Sequence, residues 1–154
     1  MNKIIIILAV TFLCICISCK EKEVSLSQYF STTQEKNISI EYMAFSRGYF
    51  MVISMDENLI KKYKNRTLKE FDSKKCSEKD WTSVLLYLDT IVVEKIAELT
   101  PPDNKSFSDR TAQAQLKIIS GKETYTSINF DHGNPPEKLK PLVDIILSST
   151  KSMK

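Results

Sequence analysis

The sequence predicts an α+β domain: a mainly antiparallel sheet of about five strands with two helices packed on one face, in the order β-β-β-α-β-β-α. Two regions, residues 38–45 and 112–130, carry apolar side chains at alternate positions, as in strands buried on one face. Two later segments carry them at every third and fourth position, as in helices. Runs of strands separated by single helices are typical of α+β domains.

The first three strands are predicted as a meander over residues 38–64. The first strand places one set of residues on the core face: Ile38, Ile40, Tyr42 and Ala44. Residues 49–55 are apolar at nearly every position, which indicates a strand inside the sheet. Residues 59–64 include three lysines, which suits an exposed strand protected by charge.

The first helix is predicted to begin at Ser77, because Asp80 follows three residues later as in a capping box. Its apolar stripe consists of Trp81, Val84, Leu85 and Leu88. Apolar residues continue as far as residue 99, and Pro101 and Pro102 then end any helix. We therefore expect this helix to cover the sheet.

A hairpin is predicted next, with its turn at Ser120 and Gly121. If the apolar residues of both strands share a face, Leu116 must oppose Thr126, which requires an odd number of loop residues. The last helix has a stripe formed by Leu139, Leu142, Val143, Ile146 and Leu147. Pro141 is tolerated there only in the first turn.

The amino terminus has the form of a signal peptide. Lys3 precedes an apolar run over residues 4–17, and a charged block follows at residues 20–23. This run is shorter than the roughly twenty residues that a membrane-spanning helix requires. A permanent transmembrane helix is therefore not predicted.

The segment Cys16-Ile17-Ser18-Cys19 resembles the lipobox of bacterial lipoproteins, although Cys16 stands where that family usually has Leu. The resemblance implies removal of residues 1–18, lipid on Cys19 and attachment to a membrane of the cell envelope, most simply the outer membrane. A single acyl chain binds a protein to a membrane only weakly and reversibly, whereas two or more chains on the cysteine anchor it stably. The polar residues 19–36 are interpreted as a flexible tether, and residues 37–154 as one domain. The alternative is an ordinary secretory signal.

The composition of the mature chain excludes several classes of protein. The whole chain has a formal net charge of +3, which loss of Lys3 lowers by one, so nucleic acid is not an expected partner. Cys76 would be the one thiol left, which precludes an internal disulfide. His132 is the single histidine, so the mature chain has too few ligands for a zinc site. Its three glycines are too few and too scattered for a glycine-rich phosphate loop. No cofactor or metal is therefore predicted. Lys74 and Lys75 could lower the pKa of the Cys76 thiol.

The candidate functional cluster is Asp131 and His132, together with Asp109. His132 could act as a general base oriented by either carboxylate, with Ser106 or Ser108 as the nucleophile. The same residues also make a good turn, in which Gly133 supplies a positive φ. The turn is the interpretation that we favour from the sequence.

The meander, the Ser77-x-x-Asp80-Trp81 helix and the segment from Tyr125 to Gly133 are similar to small uncharacterised lipoproteins of Bacteroidetes-type bacteria. That resemblance implies a localisation and a fold but no catalytic residue. The predicted function is a non-catalytic binding or assembly module with an envelope protein as partner. The alternative is a small hydrolase centred on His132.

Overall fold

The computed structural model describes residues 37–102 and 111–153. These residues form an α+β structure with an antiparallel sheet of seven strands. The predicted class is confirmed, but the predicted number of five strands is wrong. The predicted signal peptide, Cys19, the predicted tether and residue 154 lie outside the described residues.

Seven strands and two α-helices make up the described structure. The strands are β1 Ile38–Phe45, β2 Phe50–Met55, β3 Leu59–Tyr63, β4 Phe71–Lys75, β5 Gln113–Ser120, β6 Glu123–Thr126 and β7 Phe130–Asp131. The helices are α1 Glu78–Asp89 and α2 Lys140–Ser149, with 3-10 turns at Val93–Glu98 and Glu137–Leu139. The order across the sheet is β4-β3-β2-β1-β5-β6, and β7 also pairs with β5.

One face of the sheet packs against both helices. A single buried cluster contains Ile40, Tyr42, Ile53, Ile60 and Leu116 from the strands and Val84, Leu142, Val143 and Ile146 from the helices. Helix α1 begins as predicted, because the Ser77 hydroxyl accepts a hydrogen bond of 3.1 Å from the Asp80 amide. Helix α2 has Pro141 in its first turn, also as predicted. No helix in the described ranges is both long enough and apolar enough to cross a membrane.

The sequence did not predict β4. This strand pairs with β3, so β4 rather than β3 is the edge of the sheet. Strand β4 alternates between exposed and half-buried residues, and its sequence Phe-Asp-Ser-Lys-Lys contains no apolar alternation. Both of its faces are solvated, so the pattern that marks a half-buried strand is lacking. Lys74 and Lys75 lie in this edge strand, where charge hinders pairing with other chains.

The hairpin of β5 and β6 differs from the prediction in its register. Ser120 pairs with Glu123, so the turn contains two residues, and Gly121 adopts a φ of +62°. In this register Tyr125 opposes Ile118, and Thr126 opposes Lys117 instead of Leu116. The predicted face of the second strand is thus reversed in β6.

A β-bulge after β6 restores the apolar face. Thr126 pairs with Lys117, whereas Phe130 pairs with Ala114, so residues 127–129 contain one more residue than the partner strand. Phe130 consequently turns into the core, and Ile128 remains 37% exposed. The odd loop that was predicted is therefore wrong, and the two-residue turn followed by a bulge buries Phe130 but leaves Ile128 exposed.

The buried hydroxyl of Ser127 stabilises this bulge. It accepts a hydrogen bond of 3.0 Å from the Leu116 amide and donates one of 2.9 Å to the Ile128 carbonyl. The Ser127 amide also donates to the Leu116 carbonyl at 2.8 Å. Backbone groups that the bulge removes from the ladder are thereby satisfied inside the protein.

Candidate functional site

His132 lies in a tight turn at the end of β7. Its amide donates to the Ala112 carbonyl at 2.8 Å, and the Asn134 amide donates to the Asp131 carbonyl at 2.8 Å. Gly133 has a φ of +80°, a conformation that residues with a side chain rarely adopt. The predicted turn, with glycine at the position of positive φ, is confirmed.

The side chain of Tyr42 connects this turn to the centre of the sheet. Its hydroxyl oxygen lies 2.7 Å from Nδ1 of His132, and the Gly133 amide donates to the same oxygen at 3.2 Å. Since the Gly133 amide uses the oxygen as an acceptor, the hydroxyl proton is available to Nδ1. A neutral His132 with its proton on Nε2 can accept that hydroxyl proton at Nδ1.

Burial reinforces the neutral state of both side chains. Desolvation lowers the pKa of His132 below its usual value of 6.5. Desolvation, opposed in part by the Gly133 amide, raises the pKa of Tyr42 to about 12. The pair is therefore an uncharged hydrogen-bonded unit near neutral pH.

A second tyrosine packs against the same imidazole. The ring centroids of Tyr49 and His132 are 5.6 Å apart, and those of Tyr42 and His132 are 5.7 Å apart. Tyr49 is partly exposed, and its hydroxyl lies 3.5 Å from the sulfur of Met51. His132 is thus in contact with two aromatic rings, and its imidazole is part of the packing of the turn.

Only Asp131 and His132 of the predicted hydrolytic cluster lie within the described residues. Asp109, Ser106 and Ser108 lie outside the described residues. Asp131 is 4% exposed and pairs with Gln113 across β7 and β5. The hydroxyl next to His132 is that of Tyr42, which the sequence analysis assigned to the core.

Tyr42 is poorly suited to act as a nucleophile. The residue is fully buried, and its pKa of about 12 leaves very little phenolate at neutral pH. The sequence contained one indication that Tyr42 has a hydrogen-bond partner, because a tyrosine in the middle of an apolar strand face requires a partner for its hydroxyl.

Cys76 does not have the lowered pKa that its neighbouring lysines suggested. Burial, followed by the nearby carboxylates of Asp80 and Asp56, raises the pKa of its thiol to about 11, and Lys74 opposes this only in part. The thiol is therefore protonated near neutral pH and is a weak nucleophile. In residues 37–102 and 111–153, no three His, Cys, Asp or Glu side chains cluster closely enough to hold a metal ion.

A second candidate site lies on the sheet face opposite the helices. We call it the outer pocket; it has a volume of about 210 Å³ and is lined by Glu41, Met43, Phe50, Val52, Ser54, Tyr63, Leu68 and Lys117. Its floor comes from neighbouring strands, since Val52 pairs with Met43 on one side and Tyr63 on the other. The sequence did not predict this site, because four strands and a turn together supply its lining.

The turn between β3 and β4 forms one wall of the outer pocket. Leu68 reaches the pocket from a left-handed conformation with a φ of +54°, in a turn where its amide donates to the Asn65 carbonyl at 3.3 Å. For a residue other than glycine, this conformation costs roughly 1–2 kcal/mol. Strained backbone of this kind is common at ligand-binding sites.

Cationic side chains lie against the aromatic residues beside the pocket. The Arg66 guanidinium lies 5.4 Å from the ring centroid of Phe50 and donates to the Ser46 carbonyl at 3.1 Å. The Lys61 ammonium lies 5.4 Å from the ring centroid of Phe71. The Phe71 ring in turn packs on the pocket residue Tyr63, with centroids 5.2 Å apart.

Comparison with known proteins adds no relative, because no protein-family model matches this chain and no curated protein sequence is significantly similar to it.

Proposed function

We propose that this protein is a lipid-anchored lipoprotein of the bacterial cell envelope and that its domain is a non-catalytic module that binds another envelope protein. The lipobox-like segment ending at Cys19 supports the anchor. The outer pocket is the observation that carries the binding function. It is an apolar concavity on the sheet face away from the helices, where an antiparallel sheet is ordinarily polar.

The exposed apolar side chains around the pocket support binding to another macromolecule. Leu68 is 49% exposed and Phe71 is 47% exposed, and both belong to the same surface as the pocket. Contiguous apolar patches of this kind, surrounded by charged residues, mark protein interaction sites more often than isolated exposed side chains do. The strain at Leu68 is consistent with a wall shaped for binding.

The environment of His132 favours this module over the alternative of a hydrolase. Its Nδ1 is already engaged in a hydrogen bond with the hydroxyl of Tyr42, and its ring contacts the rings of two tyrosines. A general base needs a partner that it can activate, and Tyr42 is a buried phenol with a raised pKa. The geometry therefore supports a structural role for the imidazole.

The anchor is tested by the intact mass of the protein extracted from membranes. We expect the loss of residues 1–18 and the addition of acyl groups. The Cys19→Ala variant should leave the membrane fraction, with Cys76→Ser as the control that retains the lipid. A Cys19→Ala protein that is still acylated and membrane-bound would refute the proposal.

The module is tested by affinity capture of the lipidated protein from its own envelope, alongside a His132→Gln variant that can still accept the Tyr42 hydrogen bond. Partners that are reproducibly retained by this variant support a binding module. The absence of any partner, together with a His132-dependent change in a metabolite or peptide pool, would support the hydrolase instead.

A further inference from the structure

We propose that the outer pocket binds an acidic segment of the partner protein and that this segment inserts one large apolar side chain between Leu68 and the sheet. The inference rests on the proposed binding function and adds to it a place and a partner chemistry. It follows from the size of the pocket, the nature of its lining and the charges around it.

The size of the pocket fits a side chain better than a metabolite. Its volume of about 210 Å³ is below the roughly 300–1,000 Å³ of sites that enclose small-molecule ligands. Interfaces between proteins commonly place one aromatic or aliphatic side chain in a pocket of this kind, where it is fully desolvated. One inserted side chain is therefore the occupant that the volume favours.

The lining has the composition of the centre of a protein interface. Its apolar members are Met43, Phe50, Val52, Tyr63 and Leu68. Aromatic residues and methionine are enriched at such centres, and methionine adapts its shape to the group that it contacts. Val52 is only 8% exposed although it lies on the outer face, so the floor of the pocket is already largely desolvated.

The charges around the pocket favour an acidic partner. Lys117 lines the pocket, Lys61 pairs across the strands with the lining residue Ser54, and Arg66 lies over Phe50. The lining itself carries one cation, Lys117, and one carboxylate, Glu41, which is its partner across β1 and β5, so Lys61 and Arg66 supply the excess positive charge. Complementary charges at an interface increase the association rate and exclude partners of like charge.

These three cations are not held by carboxylates of the described chain. Within residues 37–102 and 111–153, the ion pairs closer than 4 Å are Lys64 with Asp72 and Lys140 with Asp144. Lys61 and Arg66 contact aromatic rings instead. Carboxylates of a partner can therefore pair with these cations without displacing an internal ion pair.

A lipid surface fits the same residues less well. Membrane-surface binding uses apolar side chains that project from a convex surface or from one side of an amphipathic helix. Here the apolar residues converge on a concavity, and Leu68 forms a wall of it. The geometry therefore favours a protruding side chain of a protein over the acyl region of a membrane.

The experiment is photo-crosslinking of the full-length, lipidated protein in the cells that make it. A benzophenone amino acid replaces Phe71 at the rim of the outer pocket, or Tyr87 on the helix side as a matched aromatic control, since both are partly exposed. Mass spectrometry then identifies the crosslinked peptide. We expect crosslinks from position 71 to a segment with several Asp or Glu residues around one large apolar residue.

The charge requirement is tested in the same cells. The double variant Lys61→Glu and Lys117→Glu should reduce crosslinking from position 71 about tenfold. A control with the same change in net charge, Lys122→Glu and Lys138→Glu, should retain it. Because charge reversal could affect folding, the milder pair Lys61→Gln and Lys117→Gln should give a smaller loss in the same direction, with unchanged thermal unfolding.

Other outcomes would overturn this inference and separate it from the proposed function. Crosslinks from position 71 to phospholipid, or to a segment without carboxylates, would reject the acidic partner. Protein crosslinks from position 87 alone would reject the outer pocket and leave the binding module in place. The absence of protein crosslinks from both positions would count against the module itself.

Discussion

The hydroxyl of Tyr42 lies 2.7 Å from Nδ1 of His132, although the two residues are 90 positions apart in the chain. Tyr42 is in β1 at the centre of the sheet, and His132 is in the turn that follows β7. The same hydroxyl oxygen also accepts a hydrogen bond from the Gly133 amide. A single phenol thus links the turn to the sheet, so its removal should destabilise the domain.

Tyr42→Phe should lower the free energy of unfolding by about 2 kcal/mol, because it leaves a buried amide and an imidazole nitrogen without their partner. Urea denaturation of the otherwise unchanged protein measures this loss. Tyr49→Phe is the control, since the Tyr49 hydroxyl makes only a weak contact with sulfur. It should change stability by less than about 0.5 kcal/mol. Equal effects of the two substitutions would contradict the role given to Tyr42.

Stability should decrease as the pH falls through the range in which histidine titrates. The pKa of His132 is lowered in the folded protein, so below pH 6.5 the unfolded chain binds a proton more readily than the folded one. The stability that the neutral imidazole contributes is fully present above 6.5, the pKa of His132 in the unfolded chain. It is lost as the pH falls towards the lower pKa of His132 in the folded protein. Urea midpoints measured between pH 7.5 and 5.5 should show this slope.

The single histidine makes the origin of that slope easy to test. His132→Gln keeps an acceptor for the Tyr42 hydroxyl and has no proton to gain, so its stability should vary less over the same pH range. A slope that is unchanged in this variant would show that carboxylates, rather than His132, cause the pH dependence.

Ser127→Ala should destabilise the domain by roughly 1–3 kcal/mol, because it removes the hydroxyl that accepts from the buried Leu116 amide at the bulge. Ser148→Ala is a suitable control, since the Ser148 hydroxyl is exposed and donates to the Ile145 carbonyl within α2. Thermal unfolding of both variants gives the comparison. Similar melting temperatures for the two would indicate that the bulge does not depend on Ser127.

Leu68→Gly should be more stable than Leu68→Ala by about 1 kcal/mol, because both variants lose the side chain but only glycine adopts the φ of +54° without strain. This order reverses the usual rule that alanine restricts the unfolded chain and stabilises the folded one. Denaturant unfolding of the two variants measures the difference. A more stable alanine variant would mean that the turn relaxes to a negative φ once the leucine is removed.

The sequence by itself determined the elements that depend on a pattern of neighbouring residues. The core face of β1, the interior position of β2, the Ser77 cap of α1 and the place of Pro141 in α2 were all predicted correctly. Burial on one face imposes a period of two on a strand and of 3.6 on a helix, and a cap needs only residues within one turn. Gly133 was also predicted correctly, since a positive φ is a local requirement.

Tertiary structure alone decided the features that depend on residues far apart in the chain. Strand β4 is held by its pairing with β3 and carries no apolar alternation of its own. The two-residue turn reverses the predicted face of β6, and the bulge at Ser127 restores it, so that Phe130 reaches the core across from Ala114. The hydrogen bond between Tyr42 and His132 likewise forms only once the sheet has formed. The same holds for the outer pocket, which is assembled from β1, β2, β3 and β5. Such contacts and cavities depend on three-dimensional distance and leave no periodic pattern in the sequence.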